Sequence, residues 1–309
     1  MTYNESVRYL LTLGRELASP QQARAAKFDL HNIRGICERM GHSERGFASV
    51  HVAGTNGKGS TAAMLASIVQ AAGLRCGLYT SPHLLRINER IRLNGADISD
   101  DDFAGSFTRV LAVIEELLAS GGLVAHPTYF ECVTAMAFDS FARAGMQLAA
   151  IEVGLGGRLD STNVILPEVA VITQIDFDHE NFLGHSIEEI ATEKAGIIKP
   201  GVWVLSAAEN PLAKEVVRRQ AKAQGAHLLE IDDACQVSDV RANDGQYSFR
   251  AALSARLGPG KHELEIALPL PGRFQVRNAI TAVAPARLLA LRGFGITDTA
   301  ILRGIESVR

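Results

Sequence analysis

At 309 residues and 33.2 kDa, with 31 basic against 34 acidic side chains and a net charge of −3, the chain can bury a large α/β core and displays no local basic cluster of the kind a nucleic-acid surface needs. Its 28 glycines and 6% aromatics suit buried parallel strands and glycine-rich functional turns, and argue against disorder. No apolar run reaches membrane-spanning length and the N-terminus lacks a basic region leading into an apolar core, so the expectation is a soluble, cytoplasmic monomer with small-molecule partners. Cys37, Cys76, Cys132 and Cys235 fit no C-x-x-C or zinc-ligand spacing and are expected to be buried free thiols.

In chain order, Val7, Leu10, Leu11 and Leu17 recur at helical spacing over residues 4–17, and Ile33, Ile36 and Cys37 predict a second helix over 30–40. The stretch that organises the rest is Ser49-Val50-His51-Val52-Ala53-Gly54-Thr55-Asn56-Gly57-Lys58-Gly59-Ser60-Thr61. A β-branched strand enters a glycine-rich turn holding one lysine, and an apolar helix from Ala62 to Ala72, stopped by Gly73, leaves it. Bare backbone N–H groups, a helix N-terminus and the Lys58 ammonium can converge there on a phosphate. The general phosphate-loop pattern is met imperfectly: Val52 stands at the first glycine position, and Gly59 follows the lysine where Ser or Thr is usual. A glycine-rich turn with a surface lysine is the bland alternative. A strand over 74–80 completes a βαβ unit and predicts a parallel sheet.

The charged loop Ser81-Pro82-His83-Leu84-Leu85-Arg86-Ile87-Asn88-Glu89-Arg90 leaves that strand's carboxyl end, where ligands bind in such sheets. Helices are expected from Phe103 to Leu118, capped by Ser99 and Asp100, and from Tyr129 to Ala144. The apolar strand of residues 146–154 delivers Glu152 at its end and runs into a second glycine-rich loop, Gly154 to Asn163. A carboxylate in that position is costly to bury without a metal or a donor, and a divalent cation beside a phosphate loop would use it. The strand Val169 to Ile175 feeds Asp176-Phe177-Asp178-His179, and Ser186 with Glu189 caps a helix over Ile187–Ala195 that carries Lys194. His179 sits beside this edge, as a structural histidine or as a metal or phosphate neighbour. A helix over 211–224, a strand over 228–231, an antiparallel strand pair (247–253 and 262–268), a helix from Val276 to Leu291 that Pro285 should bend or divide, and a last helix over 298–305 complete the prediction.

Five motifs in order, Gly54-Thr55-Asn56-Gly57-Lys58-Gly59-Ser60, Ser81-Pro82-His83-Leu84, Glu152 to Asp160, Asp178-His179 and Glu193-Lys194-Ala195-Gly196-Ile197, resemble folylpolyglutamate synthase, often bifunctional with dihydrofolate synthase, within the Mur ligase superfamily. The resemblance implies a P-loop NTPase-type α/β domain with a mostly parallel sheet flanked by helices. It implies ATP and Mg2+ as cofactors, and an ATP-dependent ligation of L-glutamate to dihydropteroate or reduced folate through an acyl phosphate. Residue by residue, it implies that Lys58 and the loop Gly54, Thr55, Asn56, Gly57, Gly59 and Ser60 hold the phosphates and that Asn278 lies near adenine. Ser81 and Glu152 match magnesium positions, His179 a ligand of a second magnesium, and Lys194 a lysine that is carbamylated and helps place that ion; Lys58, His179 and Lys194 are thereby the catalytic candidates. The loop holding Ser81, Pro82, His83 and Arg86 matches one that orders near folate, and the segment of Lys27 and Phe28 borders the pterin more weakly.

The family continues beyond this point into a smaller α/β domain that helps bind the amino acid and closes over ATP. On that comparison residues 1–309 are expected to be the ATP-binding ligase domain, with the C-terminal domain absent and with weak Mg-ATP binding and poor ligation as the consequence. Another Mur-type ligase acting on a cell-wall precursor, and more distantly a small-molecule kinase, share parts of the motif set.

Overall fold

The computed structural model describes residues 1–14, 29–260 and 262–308. Strands β1 (Ala48–Ala53), β2 (Cys76–Tyr79), β3 (Ile91–Leu93), β4 (Ala96–Asp97), β5 (Leu148–Glu152), β6 (Val169–Ile172), β7 (Trp203–Ser206) and β8 (His227–Glu230) form one sheet in the order β4-β3-β2-β5-β1-β6-β7-β8. The six from β2 to β8 in that order pair in parallel, and only the β2–β3 and β3–β4 pairings at one edge are antiparallel. Strands β1, β5 and β6 read as nearly unbroken apolar runs because both faces are covered. Val50, Val52, Leu148, Ala150, Val169 and Val171 face one core, and Ala149, Ile151, Ala170 and Ile172 face the other side.

Under the first face lie helices Lys58–Ala71, Phe274–Leu291 and Asp298–Glu306 together with a second, antiparallel sheet; the other face is covered by helices Tyr3–Thr12, His31–Arg39, Asp100–Ala119, Tyr129–Arg143, Ile187–Ala195 and Pro211–Ala223. The helix Lys58–Ala71 is apolar nearly all round, as befits a helix held between a sheet and two further helices. The expected Ser186–Glu189 capping box is present, and Ser99 Oγ accepts the Asp102 N–H at 3.1 Å. All four cysteines are free and buried, as expected.

Several expectations are corrected. The first helix ends at Thr12, and Leu17 lies outside the described residues. The helix after the phosphate loop begins at Lys58 rather than Ala62, so its first turn, with its free N–H groups, is made of the loop's own small residues. Asp100 does not cap its helix but accepts from Arg86 Nη2 at 2.6 Å and Asn88 Nδ2 at 3.1 Å. The antiparallel pair β10 (Gln246–Leu253) and β11 (Glu263–Leu268) has a third partner, β9 (Cys235–Asn243), whose mostly exposed, polar sequence carried no strand signal. Finally, Phe274–Leu291 runs as one helix through Pro285. Burial of nearly all of its residues from Val276 to Leu289 offsets the roughly 3 kcal/mol that an interior proline costs. Among the described residues, no helix is long and apolar enough to cross a membrane.

The helix of the phosphate loop is joined to the helix Asp298–Glu306 at a contact with no spare room. Ser67 Oγ donates to Gly304 O at 2.6 Å, and a Cβ on Gly304 would stand 2.3 Å from Ile68 Cα and 2.6 Å from Ile68 N. Alanine normally stabilises a helix by about 1 kcal/mol relative to glycine. Here Gly304→Ala is expected to destabilise the chain by about 1–3 kcal/mol, because backbone must move; a urea midpoint equal to or above the wild type would refute the contact.

Candidate active site

Side chains from the carboxyl ends of β1, β5 and β6, adjacent at the centre of the sheet, meet around the first glycine loop. Thr55 N and Asn56 N donate to Gln174 O at 2.7 and 3.4 Å, Thr55 Oγ1 donates to Asp176 O at 3.0 Å, and Asp176 N returns to Thr55 Oγ1 at 3.1 Å. The loop is thereby braced on the segment leaving β6. Gly57, at φ 83°, is the left-handed residue before the helix, and a Cβ there would fall 2.3 Å from Asn278 Oδ1. Asn278 thus stands directly over the loop; its Nδ2 donates to Gln275 Oε1 at 2.9 Å, and Gln275 Nε2 reaches Ser60 Oγ at 3.3 Å. Lys58 Nζ donates to Thr55 O at 3.2 Å, curling over the turn whose N–H groups it would complement on an anion.

Glu152, only 4% exposed, ends β5 beside this loop, and its Oε2 accepts the Ser81 N–H at 3.0 Å. A side chain at Gly59 would begin 3.4 Å from Oε2 and 3.5 Å from Oε1, so the absence of one leaves open space against both oxygens. Burial pushes the Glu152 carboxyl up to about 7, against the pull of the Ser81 N–H and of Lys58 and Arg90.

Lys194, 1% exposed, reaches back from its helix to donate to Gly54 O at 2.8 Å and Asp178 Oδ2 at 3.1 Å. Burial and then the neighbouring Lys58 lower its ammonium to about 8, with Asp178 opposing. His179 adopts a left-handed backbone at φ 42°, and its half-exposed ring places Nε2 3.5 Å from Asp178 Oδ1. Asp178 therefore links Lys194 and His179, a function that sequence reasoning did not assign to it.

Among the described residues, no three His, Cys, Asp or Glu side chains form a group that could hold a metal by themselves. The residues nevertheless suit magnesium, which takes one or two carboxylates and fills its remaining positions with phosphate oxygens and water. Glu152 offers a desolvated carboxylate facing open space, and Asp178 a second one. His179, a nitrogen donor, is the least suited of the expected set.

The second glycine loop is held from beneath. Asp160 accepts the N–H groups of Gly154 and Leu155 at 3.0 and 2.9 Å and that of Thr162 at 2.9 Å. Thr162 Oγ1 also donates to Asp160, so the buried His51, 2.8 Å away through Nε2, must be the donor in its own bond to Thr162. Burial lowers His51 to about 3, which keeps it neutral.

In the loop after β2, Ser81 adjoins Glu152 and is followed by a cis bond to Pro82, His83 Nδ1 accepts from Arg90 Nε at 2.7 Å, and Arg86 lies over the Tyr3 ring at 5.4 Å. Lys27 and Phe28 lie outside the described residues. Gln275, Gln174 and Asp176 brace the site but were not expected. Only Gln275, one helical turn before Asn278, had a spacing that could have disclosed it.

The Mur ligase middle domain matches residues 52–286. The chain is 38% identical over 280 residues to dihydrofolate synthase/folylpolyglutamate synthase of Bacillus subtilis, covering 89% of this chain and 63% of that protein. It is 35% identical over 291 residues to folylpolyglutamate synthase of Lacticaseibacillus casei, covering 94% and 64%. It therefore spans less than two thirds of the length of these relatives. The apo form of L. casei FPGS and an FPGS-AMPPCP-folate complex each superpose with a TM-score of 0.91 at 32% identity, covering 100% of this chain and 72% of theirs. The fold is thus shared along the length of the chain, and the chain belongs to the folylpolyglutamate synthase family of Mur ligases.

Proposed function

We propose that the chain binds Mg-ATP at Gly54–Ser60 and serves an ATP-dependent carboxylate–amine ligase that adds L-glutamate to dihydropteroate or a reduced folate. The observation that carries this reading is the meeting of Lys58 with the buried Glu152 across the open side of Gly59. It is supported by relatives named for glutamate addition to folates and by a solved relative holding a nucleotide analogue and folate. Residues 1–309 are read as the ATP-binding part of that machinery.

A carboxylate oxygen of the pteroyl substrate attacks the γ-phosphorus, the bond from phosphorus to the ADP oxygen breaks, and an acyl phosphate results. The glutamate amine then attacks the acyl carbon, phosphate leaves, and the amine loses a proton as the amide forms. Lys58 and the loop N–H groups hold the phosphates in line, and Asn278 borders the adenine. A bound magnesium would supply Lewis-acid stabilisation of the charge that develops on the phosphates. Ser81 and Glu152 would hold one ion. His179, with Lys194 as a carbamate, would hold a second; carbamylation turns a repelling cation into an anionic oxygen ligand.

Supplying ATP, L-glutamate and dihydropteroate or tetrahydrofolate, and measuring phosphate and amide product, tests the reading. Substrate-dependent product supports it, nucleotide binding alone restricts the chain to that step, and turnover of UDP-muramoyl peptides instead would assign it to another Mur branch. Lys58→Ala should weaken AMPPCP binding by roughly 30- to 100-fold in calorimetry, the loss of about 2–3 kcal/mol of charge-assisted bonding.

Glu152 titrates in the fold at about 7, above its ordinary 4.5, so without metal its contribution to stability is full below pH 4.5 and is lost as pH rises through 7. Glu152→Gln is therefore expected to raise the melting temperature of the nucleotide-free chain at pH 8, by up to a few kcal/mol in stability, and to remove the magnesium dependence of AMPPCP binding. A lowered melting temperature with magnesium dependence intact would oppose both roles.

A carbamate forms only on a neutral amine, and Lys194 becomes neutral near pH 8 rather than 10.5. Labelled bicarbonate should give a carbamate resonance that grows as pH rises through about 8 and is missing in Lys194→Ala; no resonance at any pH would exclude the modification.

A further inference from the structure

Leu84 and Leu85, each 90% exposed, follow one another at the tip of the loop between β2 and β3. Single exposed leucines are ordinary, but two in succession on a backbone fixed in place call for a reason. The Glu89 carboxylate fixes it: it accepts the N–H groups of Leu84 at 2.7 Å, Leu85 at 2.9 Å and Arg86 at 2.7 Å. Those three bonds, led by that of Leu84, hold the Glu89 carboxyl down to about 2, so it stays ionised at any working pH.

The ends of the loop are tied independently. Ser81 N is bound to Glu152, Arg90 Nε to His83, and Arg86 to Asp100. Removing the Glu89 charge would release the tip while leaving its base in place. Around the base, the Arg86 guanidinium lies 5.4 Å from the Tyr3 ring centroid and that of Arg90 lies 5.6 Å from Tyr129. Stacked cations, aromatic rings and a bare apolar tip suit a flat aromatic acid whose carboxylate has to reach the nucleotide side of the same loop.

We propose that Glu89 is a positioning residue for the acceptor substrate, clamping three successive backbone N–H groups so that Leu84 and Leu85 are held out as an apolar clip for the flat aromatic portion of a pteroyl acid. The proposal rests on the ligase reading above and adds to it a residue that need not touch substrate. Glu89 acts through the loop, and its effect is selective for the aromatic substrate over the nucleotide.

The test uses the 309-residue chain, its Glu89→Gln variant and the double variant Leu84→Ser with Leu85→Ser. Hydrogen exchange is followed at amides 84–86, and dihydropteroate and AMPPCP are titrated in parallel by calorimetry. Glu89→Gln is expected to speed exchange of those amides about tenfold or more with the rest of the chain unchanged. Both variants should weaken dihydropteroate by about tenfold or more while AMPPCP affinity stays within about twofold. Wild-type dihydropteroate affinity in Glu89→Gln would overturn the proposal, as would equal weakening of both ligands together with a fall in melting temperature, the signature of a merely structural residue. A wild-type chain that binds AMPPCP but no dihydropteroate would restrict the chain to the nucleotide step and overturn this proposal with it, whereas wild-type binding with unprotected amides 84–86 removes the proposal alone.

Discussion

Glu152 is an acid that ends the strand next to the centre of the sheet, walled from water, with the Ser81 backbone N–H as its donor among the described residues. Isolating a carboxylate in this way is unfavourable unless it is neutralised by a proton or by a cation, and burial holds it near the balance between the two. The surroundings are arranged on the side of the cation. Gly59 leaves space against both oxygens, Lys58 stands close enough to lower its pKa, and Ser81 brings the next loop to it. The register of β1 against β5, with Val52 opposite Glu152, places this acid level with the start of the phosphate loop.

A second charge problem sits across the loop. Lys194 is buried close enough to Lys58 for the two cations to repel, and Asp178 and the carbonyl of Gly54 offset that repulsion. That carbonyl belongs to the loop that carries Lys58, so the helix Ile187–Ala195 and the phosphate loop are coupled through one side chain. The second glycine loop joins the same assembly, since Arg158 NH groups bond Glu193 and the Arg158 N–H bonds the Glu193 carbonyl. Glu152 and Lys194 are coupled through the charge of Lys58, which pulls the first down and pushes the second down.

How much of this could be read in the sequence depends on the range of the interaction concerned. The βαβ unit, the core strands 148–152 and 169–172 and the capped helix Ile187–Ala195 were legible because their signals are local: apolar runs, a glycine turn and a capping box. Strand β9 was not, since its mostly exposed polar residues are fixed by pairing with β10 and not by their own pattern. Pro285 pointed to a bent or divided helix, and the division did not occur because the segment is buried on nearly every side. In the site, glycine spacing marked the phosphate loop and the strand end marked Glu152. The Asp178–Lys194 contact, and the bracing of Thr55 by Gln174 and Asp176, join residues far apart in the chain that no local pattern relates.

The departures from the general phosphate-loop pattern find their reason in the same geometry. Val52 occupies the position of the usual first glycine because here that residue is still inside β1, fully buried and paired with Glu152 on one side and Val171 on the other; a glycine there would weaken the strand that fixes the acid. The turn begins two residues later at Gly54, whose φ of 150° and 1.8 Å approach of a virtual Cβ to Thr173 Oγ1 admit no side chain. Gly59 stands where other loops place a hydroxyl for the metal, and here Glu152 reaches that space from the neighbouring strand. A carboxylate carried by the sheet thus lies against the loop, which makes the site's electrostatics depend on the pairing of β1 with β5 as well as on the loop itself.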